Sequence, residues 1–291
     1  MPQAKLTEPQ IEHFQREGYV VLERFFGTKT LADLEQTIQK VTQKALAMDD
    51  HRKILELEPQ PLDGHTVPRR IFDPFEQHEM FRQVACDKNL LGCIESLVGP
   101  DIMLQHSKLN MKPPQVGSVV EWHQDLVYLP HTNDSLVTLL VYLDEATETN
   151  GCLQVLPRHH THYFSHELPD GRFAGMITEE ITDGRYGRPV SLAAPAGSAI
   201  FMHCITPHSS LPNQSDRPRR TLIYEYRAAD SFPIYYGETA AADEALARML
   251  CGKPARFARF GGPPPLIPRL SGVHKSLYEL QRSSKDELKQ S

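Results

Sequence analysis

The feature that most constrains this chain is a pair of metal-type ligands two residues apart, His123 and Asp125, in a segment flanked by apolar residues. Side chains at positions i and i+2 of a β-strand point to the same face, so an imidazole nitrogen and a carboxylate oxygen could approach one ion. A third ligand is needed from elsewhere in the chain. His203 and His208, in a later segment, are both candidates, and spacing alone leaves them open.

Two histidines and one carboxylate would leave the other coordination positions of a metal open. This ligand set is used by non-haem Fe(II) oxygenases, and mixed nitrogen and oxygen ligands without thiolate favour iron over structural zinc. A lone His-x-Asp is weak, because such a pair is more often a surface or hydrogen-bonded couple. The basic pair Arg219-Arg220 strengthens the pattern, since it opens the apolar segment 221–226, where a buried arginine needs an anionic partner.

Short segments in a fixed order add to the ligand pattern. They are Lys112–Pro114, His123–Asp125, Asn150–Pro157, Gly197–His208, Asn213 and Arg219. Each is weak alone, but their order and spacing over about residues 100–227 are fairly specific. Together they resemble the phytanoyl-CoA dioxygenase family of Fe(II)- and 2-oxoglutarate-dependent oxygenases.

The resemblance implies that His123, Asp125 and His208 bind Fe(II) and are the catalytic residues. Family members place the third ligand just before small residues and an asparagine, which in this chain follow His208 and not His203. We therefore expect His203 to be a packed or hydrogen-bonded core histidine.

The resemblance also implies residues around the co-substrate, 2-oxoglutarate. Arg219 lies at the family's place for the arginine that binds the distal carboxylate, where a planar guanidinium can donate two parallel hydrogen bonds and Ser210 can add a third donor. Arg70 resembles the family's basic residue that approaches 2-oxoglutarate, and a solvated arginine is the alternative. Gln124 matches a family glutamine near the co-substrate, although ideal alternation turns it away from His123.

Residues 102–111 alternate without a cleanly apolar face, which is typical of a strand that lines a polar cavity. Lys108 and Asn110 lie on one face of this predicted strand. We expect both to line the cavity and Lys108 to contact the co-substrate.

Local patterns predict the elements of the fold. Apolar residues at helical spacing with caps predict helices, whereas alternating or continuous apolar runs predict strands. Helices are expected over 7–18, 30–48 and 75–98, and strands over 19–22, 102–111, 136–143 and 199–203. The resemblance implies that they form a mainly β fold with flanking helices, a double-stranded β-helix of the jelly-roll, cupin-like type.

We expect one Fe(II)/2-oxoglutarate dioxygenase domain over residues 1–291. Helical N-terminal support is expected over about 1–100, the β-helix core over about 101–227 and a C-terminal extension over 228–291. Within the extension we expect short helices around Glu244–Leu250 and a frayed tail from Arg282.

Two segments lack a clear period. Residues 51–70 are predicted to form a loop, and residues 162–189 a long insert that is either a functional lid or disordered. We expect substrate identity to be decided in these segments. A nearby turn is also unusual: where family members have Pro-Gly-Ser-His, this chain has Pro157–His160, with Arg158 in place of the glycine.

Composition excludes several classes. The 291 residues are 40% hydrophobic and 23% charged, which is ordinary for a globular protein, and the net charge of −6 gives no electrostatic footprint for nucleic acid. No run approaches the roughly 20 apolar residues of a membrane span. Five cysteines without metal spacing predict reduced core residues of an intracellular, cytoplasmic protein. No pattern indicates an oligomeric state.

The resemblance implies a reaction. Fe(II), 2-oxoglutarate and O2 would together hydroxylate an unactivated C–H bond of a small-molecule or acyl substrate, with release of succinate and CO2. The carboxylate of Asp125 favours hydroxylation, because relatives that halogenate have a small residue there. The alternatives are a cupin-like metal enzyme that does not use 2-oxoglutarate and a non-catalytic binding protein on the same fold.

Overall fold

The computed structural model describes residues 4–59, 64–234, 248–267 and 276–290. The helices of these ranges are α1 (Glu8–Glu17), α2 (Thr28–Leu46), α3 (Pro74–Gln77), α4 (Glu79–Ala85), α5 (Lys88–Val98) and α6 (Leu277–Gln290). The strands are β1 (Tyr19–Leu22), β2 (Leu55–Leu57), β3 (Pro68–Phe72), β4 (Ile102–Lys112), β5 (Val120–His123), β6 (Leu136–Tyr142), β7 (Leu153–Val155), β8 (Val190–Ser191), β9 (Ala199–His203), β10 (His208–Ser210), β11 (Arg219–Ala228) and β12 (Arg248–Cys251).

The strands form two antiparallel sheets. The larger sheet has the order β1-β9-β6-β11-β4-β3-β2, and β12 also pairs with β4. The smaller sheet has the order β5-β10-β7-β8. Apolar side chains of β6, β9 and β11 pack against those of β7 and the loop around residue 194, so the sheets face each other as a sandwich. The predicted mainly β, double-stranded β-helix fold with flanking helices is confirmed.

The central strand β6 is buried along its whole length, as its continuous apolar run predicts. One face, which includes Leu139 and Val141, joins the core with the helices, and the other, which includes Leu140 and Tyr142, joins the core between the sheets. Full burial of one such leucine contributes roughly 1.5–3 kcal/mol. The sheet is therefore anchored on both sides, and helices α1 to α5 cover its face away from the smaller sheet.

The first helix has the ends that the sequence predicts. The side chain of Gln10 accepts a hydrogen bond from the Thr7 backbone N–H at 2.9 Å, and Gly18 ends the helix with φ 85°. A Cβ at Gly18 would lie 2.6 Å from Thr206 Oγ1, so glycine is required both by the backbone and by this close approach. The chain then enters β1, as predicted.

The prediction that residues 51–70 form a loop is wrong for the described part, which excludes residues 60–63. The segment contains a 3₁₀ turn and strands β2 and β3, and β3 pairs with β4 so that Arg70 lies opposite Asn110. Its partner strand, and not a local apolar period, supplies these hydrogen bonds. The helices expected over residues 75–98 are α4 and α5, which follow the end of α3.

The C-terminal expectations are also corrected. Arg248–Cys251 is the strand β12, which pairs with β4, and not a helix; Glu244 lies outside the described residues. The tail from Arg282 is part of α6, in which Tyr278, Gln281 and Ser284 are buried. Tertiary contacts therefore order a segment whose composition alone predicts fraying.

The insert over residues 162–189 is folded against the protein. Its apolar side chains Phe164, Leu168, Phe173, Ile177 and Ile181 are all buried. The disordered alternative is wrong, and a role in substrate choice stays a prediction. None of the described helices has both the length and the apolar character needed to cross a membrane.

The turn after β7 explains how arginine replaces the family's glycine. Arg158 adopts φ 70°, a conformation that favours glycine, and its guanidinium donates hydrogen bonds of 2.9 and 3.0 Å to the carboxylate of Glu17. These hydrogen bonds, with a smaller contribution from Arg16, lower the pKa of Glu17 from its ordinary 4.5 to about 2.

We predict that the stability supplied by this ion pair depends on pH. Because the folded pKa of Glu17 is lowered, the contribution is complete above about pH 4.5 and is lost as the pH falls towards about 2. Arg158→Gly removes much of it while relieving the backbone strain. Urea midpoints measured from about pH 6 to about pH 3 should show the advantage of the wild type over Arg158→Gly shrinking as the pH falls. A pH-independent difference would contradict the assignment.

Candidate active site

Three buried side chains converge between the sheets. His123 ends β5, His208 begins β10, and the two lie opposite each other in the antiparallel pairing. The Nε2 atoms of His123 and His208 each lie 3.7 Å from Asp125 Oδ1, and the two ring centroids are 4.1 Å apart. The ligand atoms all lie within 4.8 Å of one another, which is suitable for a metal ion. Asp125 opens a 3₁₀ turn and is not on the predicted strand, yet it reaches the same point.

Hydrogen bonds behind these side chains orient them. Nδ1 of His123 lies 2.8 Å from the Glu121 carbonyl oxygen, and Nδ1 of His208 lies 3.0 Å from that of Thr206. With each Nδ1–H donating to a carbonyl, the Nε2 lone pairs face the centre of the cluster. Asp125 Oδ2 accepts a hydrogen bond of 2.7 Å from Thr138, which leaves Oδ1 for the centre.

The electrostatics favour the protonation states that bind a metal. Burial, and then the neighbouring His208, lower the pKa of His123 well below its usual value. Burial alone would raise the pKa of Asp125, but His208, Lys108 and His123 together lower it below its usual range. A neutral imidazole and an ionised carboxylate are the forms that coordinate divalent metals.

The competing histidine, His203, lies outside this cluster. Its Nδ1 accepts a hydrogen bond from the Ile205 N–H at 3.2 Å, and its ring packs on Phe14 and His160. Burial lowers its pKa to about 3. The prediction of a packed, hydrogen-bonded histidine is confirmed.

Arg219 is a buried cation on the face of β11 that points between the two sheets, six residues before Glu225; we call this space between the sheets the cavity. It lies opposite Lys112 and donates hydrogen bonds to Thr221 Oγ1 at 2.8 Å and to the Gly151 carbonyl at 2.6 Å. Among the described residues, its Nε has no hydrogen-bond partner and no acidic side chain pairs with it. Burial lowers its pKa. Ser210, two residues after His208 in β10, is also buried.

Arg70 lies on the larger sheet, close to Arg219. Arg70, Asn110 and Thr221 lie in register on β3, β4 and β11, and Arg70 Nε donates to Asn110 Oδ1 at 2.9 Å. Since Thr221 also accepts from Arg219, the two arginines flank one row of the larger sheet. Nη2 of Arg70 is buried, and no group in the described part of the chain is its hydrogen-bond partner. The alternative of a solvated arginine is wrong.

Lys108 forms part of a charge cluster, around the buried carboxylate of Glu225, that the sequence analysis missed. Glu225 lies in the apolar run of β11, and its carboxylate is 3.3 Å from Lys108 Nζ and 3.2 Å from His106 Nε2. Burial raises the pKa of Glu225 to about 7, although Lys108 opposes the shift. Because Thr138, which hydrogen-bonds Asp125, is the cross-strand partner of Glu225, this cluster lies at the Asp125 end of the cavity.

The expectation for Gln124 is wrong. Its side-chain amide donates to the carbonyls of His162 and Ile205 at 2.9 and 2.7 Å, and its carbonyl oxygen accepts from the Phe164 N–H at 2.9 Å. Both N–H donors are used, so Gln124 fastens the insert and has no donor for a co-substrate. Strand alternation indicates this orientation.

Further side chains near the cluster were also missed. The ring centroid of Tyr128 is 5.8 Å from that of His123, and its hydroxyl donates to the Gly175 carbonyl. Phe173 packs edge-on against Tyr128 at 5.1 Å. Tyr128 follows the ligand motif closely in the sequence, but only the folded insert brings Phe173 beside it.

Comparison with known proteins agrees with this site. Residues 14–221 match the sequence profile described as Phytanoyl-CoA dioxygenase (PhyH). A Stutzerimonas stutzeri protein named "Probable alpha-ketoglutarate-dependent hypophosphite dioxygenase" is 29% identical over 95% of this chain and 97% of its own length. A methylphosphonate hydroxylase of Gimesia maris is 28% identical over 77% of this chain and 81% of its own length.

The fold comparison agrees as well. The crystal structure of EctD from S. alaskensis with 2-oxoglutarate and 5-hydroxyectoine superposes with a TM-score of 0.68 at 24% identity, covering 92% of this chain and 89% of that one. At this identity the likeness shows the fold. The protein is an enzyme that depends on iron and 2-oxoglutarate, and its chain belongs to the phytanoyl-CoA dioxygenase family.

Proposed function

We propose that His123, Asp125 and His208 hold the Fe(II) ion at which a small substrate is hydroxylated. The observation that supports this most is the buried cluster itself, in which two Nε2 atoms lie 3.7 Å from one carboxylate oxygen. No thiolate takes part, and three protein ligands leave positions open for other molecules. With iron bound, oxidative decarboxylation of 2-oxoglutarate to succinate and CO2 would supply the oxidising power to insert one oxygen atom of O2 into a C–H bond of the substrate, or into a P–H bond of a substrate such as hypophosphite.

The chain's own groups bind and orient the co-substrate. Arg219 is a buried guanidinium with no acidic partner in the described ranges, and a carboxylate of 2-oxoglutarate would satisfy its charge with charge-assisted hydrogen bonds. Ser210 adds a hydroxyl on the face of β10 that carries His208, and Arg70 offers its unpartnered Nη2 to a carboxylate. Lys108 is paired with Glu225. Along β4, Lys108 therefore lies farther from Arg219 than Asn110 does.

A small anion is the substrate class that we favour. Lys108 and His106 are partly exposed and lie at the Asp125 end of the cavity, opposite the end where Arg219 would bind 2-oxoglutarate. An anionic group could replace Glu225 as the partner of Lys108. The named activities of two relatives, on hypophosphite and methylphosphonate, fit this class. Succinate release in the presence of either compound, compared with a neutral substrate, tests the choice.

The remaining expectations are also proposals. We infer one catalytic domain over residues 1–291, with its β-helix core over about 101–227, because the alignment with one relative spans 95% of the chain. A reducing compartment such as the cytoplasm is supported by five free cysteines, of which three are buried, one is partly exposed and one, Cys86, is exposed.

The co-substrate assignment predicts a spectroscopic result. Anaerobic addition of 2-oxoglutarate to the Fe(II) protein should produce the visible charge-transfer band of a chelated keto acid. Arg219→Ala should weaken 2-oxoglutarate binding at least about 100-fold, because it removes the cation from a buried charge pair. Arg217→Ala, which changes an exposed arginine two residues earlier, is the matched control and should titrate like wild type.

Other outcomes separate the alternatives. If iron binds to the wild type and no band forms, the cupin-like enzyme without 2-oxoglutarate is favoured. If neither iron nor 2-oxoglutarate binds, a non-catalytic binding protein is favoured.

Thr138 should tune the metal site without touching the ion. Thr138→Val keeps the shape of the side chain but removes the 2.7 Å hydrogen bond to Asp125 Oδ2. We predict a loss of Fe(II) affinity of roughly 10- to 100-fold, measured by competition with a chelator. Thr161→Val, at an exposed position, is the control. Unchanged affinity in Thr138→Val would show that Asp125 needs no such support.

A further inference from the structure

The C-terminal helix α6 packs directly on the strand that carries His123. Gln281 Oε1 accepts from the Glu121 N–H at 3.1 Å, and Gln281 Nε2 donates to the Gly175 carbonyl at 2.7 Å. Lys285 Nζ also lies 2.5 Å from a carboxylate oxygen of Glu121. The Glu121 carbonyl is the acceptor that orients His123. The helix therefore joins β5 to the insert at the active site.

One residue of α6 reaches the arginines of the cavity wall. The ring of Tyr278, a buried side chain, lies 4.2 Å from the guanidinium carbon of Arg69 and 5.0 Å from that of Arg70. Glu56 lies beside both arginines, with a 2.6 Å contact to Arg69 and a 3.9 Å contact to Arg70. A desolvated guanidinium over an aromatic face is held by cation–π attraction as well as by packing.

These contacts fix Arg70 and leave one edge open. Its Nε donates to Asn110 at 2.9 Å, its Nη1 faces Glu56, and its guanidinium carbon lies over the Tyr278 ring. Nη2 is buried and has no hydrogen-bond partner among the residues that the structure describes. Since a buried N–H without an acceptor is costly, this geometry is suited to an anionic ligand that completes it.

We propose that Tyr278 is a positioning residue of the active site, which holds Arg70 so that its unpartnered Nη2 binds a carboxylate of 2-oxoglutarate. The inference rests on the proposed role of Arg70 in co-substrate binding. It extends the active site beyond the segment that identifies the family, because the profile match ends at residue 221 and Tyr278 lies in α6. Tyr278 acts through its ring, and no hydrogen bond of its hydroxyl is required.

The test measures the affinity of the Fe(II) protein for 2-oxoglutarate by anaerobic titration of the charge-transfer band, without any substrate. Tyr278→Leu keeps an apolar side chain but removes the aromatic face, and should weaken binding about 10-fold. Tyr278→Phe keeps the face and should bind like wild type. Arg70→Ala should weaken 2-oxoglutarate binding at least as much as Tyr278→Leu does. The variant that combines Arg70→Ala with Tyr278→Leu should bind 2-oxoglutarate as tightly as Arg70→Ala alone.

Leu288→Ala controls for a loosened helix, because Leu288 packs with the insert in the cluster of Leu168 and Met176 and is not part of the arginine stack. Wild-type affinity in Tyr278→Leu, additive losses in the double variant, or an equal loss in Leu288→Ala would each overturn the proposal. If Tyr278→Leu does not fold, the affinity of Tyr278→Phe for 2-oxoglutarate is the test. Weaker binding in Tyr278→Phe, which keeps the aromatic ring, would contradict the proposal that Tyr278 acts through its ring. If Arg70→Ala leaves 2-oxoglutarate affinity unchanged while Arg219→Ala weakens it as predicted, this inference is rejected and the proposed function stands.

Discussion

The antiparallel pairing of β5 with β10 is the interaction on which the site depends. It places His208 opposite His123, so two residues far apart in the sequence become neighbours with ring centroids 4.1 Å apart. Asp125 can join them from a 3₁₀ turn because Thr138, on the facing sheet, holds its second oxygen. The two sheets thus contribute different parts of one site: the smaller sheet provides the histidines, and the larger sheet orients the carboxylate.

Buried charged residues line the rest of the cavity. Arg219 and Arg70 have been removed from water, yet each keeps an N–H without a partner among the described residues. Such groups oppose folding unless they are paired, so their retention is more consistent with ligand binding than with stability. Glu225, by contrast, is satisfied by Lys108 and His106 within the protein. The Arg219 end therefore lacks an anion, whereas at the other end Lys108 already has a partner, Glu225, that an anionic substrate would have to replace.

The parts of the fold that were predictable are those whose signal is local. The helix cap at Thr7, the helix end at Gly18 and the apolar run of β6 can each be predicted from neighbouring residues alone. The ligand motif was found because its two residues are close in the sequence. Choosing His208 over His203 needed the family resemblance, since both histidines are buried or nearly so and only tertiary geometry separates them.

The parts that were missed depend on distant partners. Strand β3 has no apolar alternation, and it forms because β4 offers an edge on which Arg70 pairs with Asn110. Helix α6 has the polar composition of a frayed tail, and burial of Tyr278 and Gln281 against β5 and the arginines orders it. Gln124 was assigned by resemblance against its own strand alternation, and the alternation was the better guide.

The central claim is that one buried cluster binds iron next to a co-substrate held by Arg219. The most direct test is a crystal structure of the protein loaded anaerobically with Fe(II) and 2-oxoglutarate, with anomalous data at the iron edge. Our account predicts a single iron peak bound by His123, Asp125 and His208, with 2-oxoglutarate extending from the metal to Arg219. Iron bound elsewhere, or 2-oxoglutarate without contact to Arg219, would contradict it.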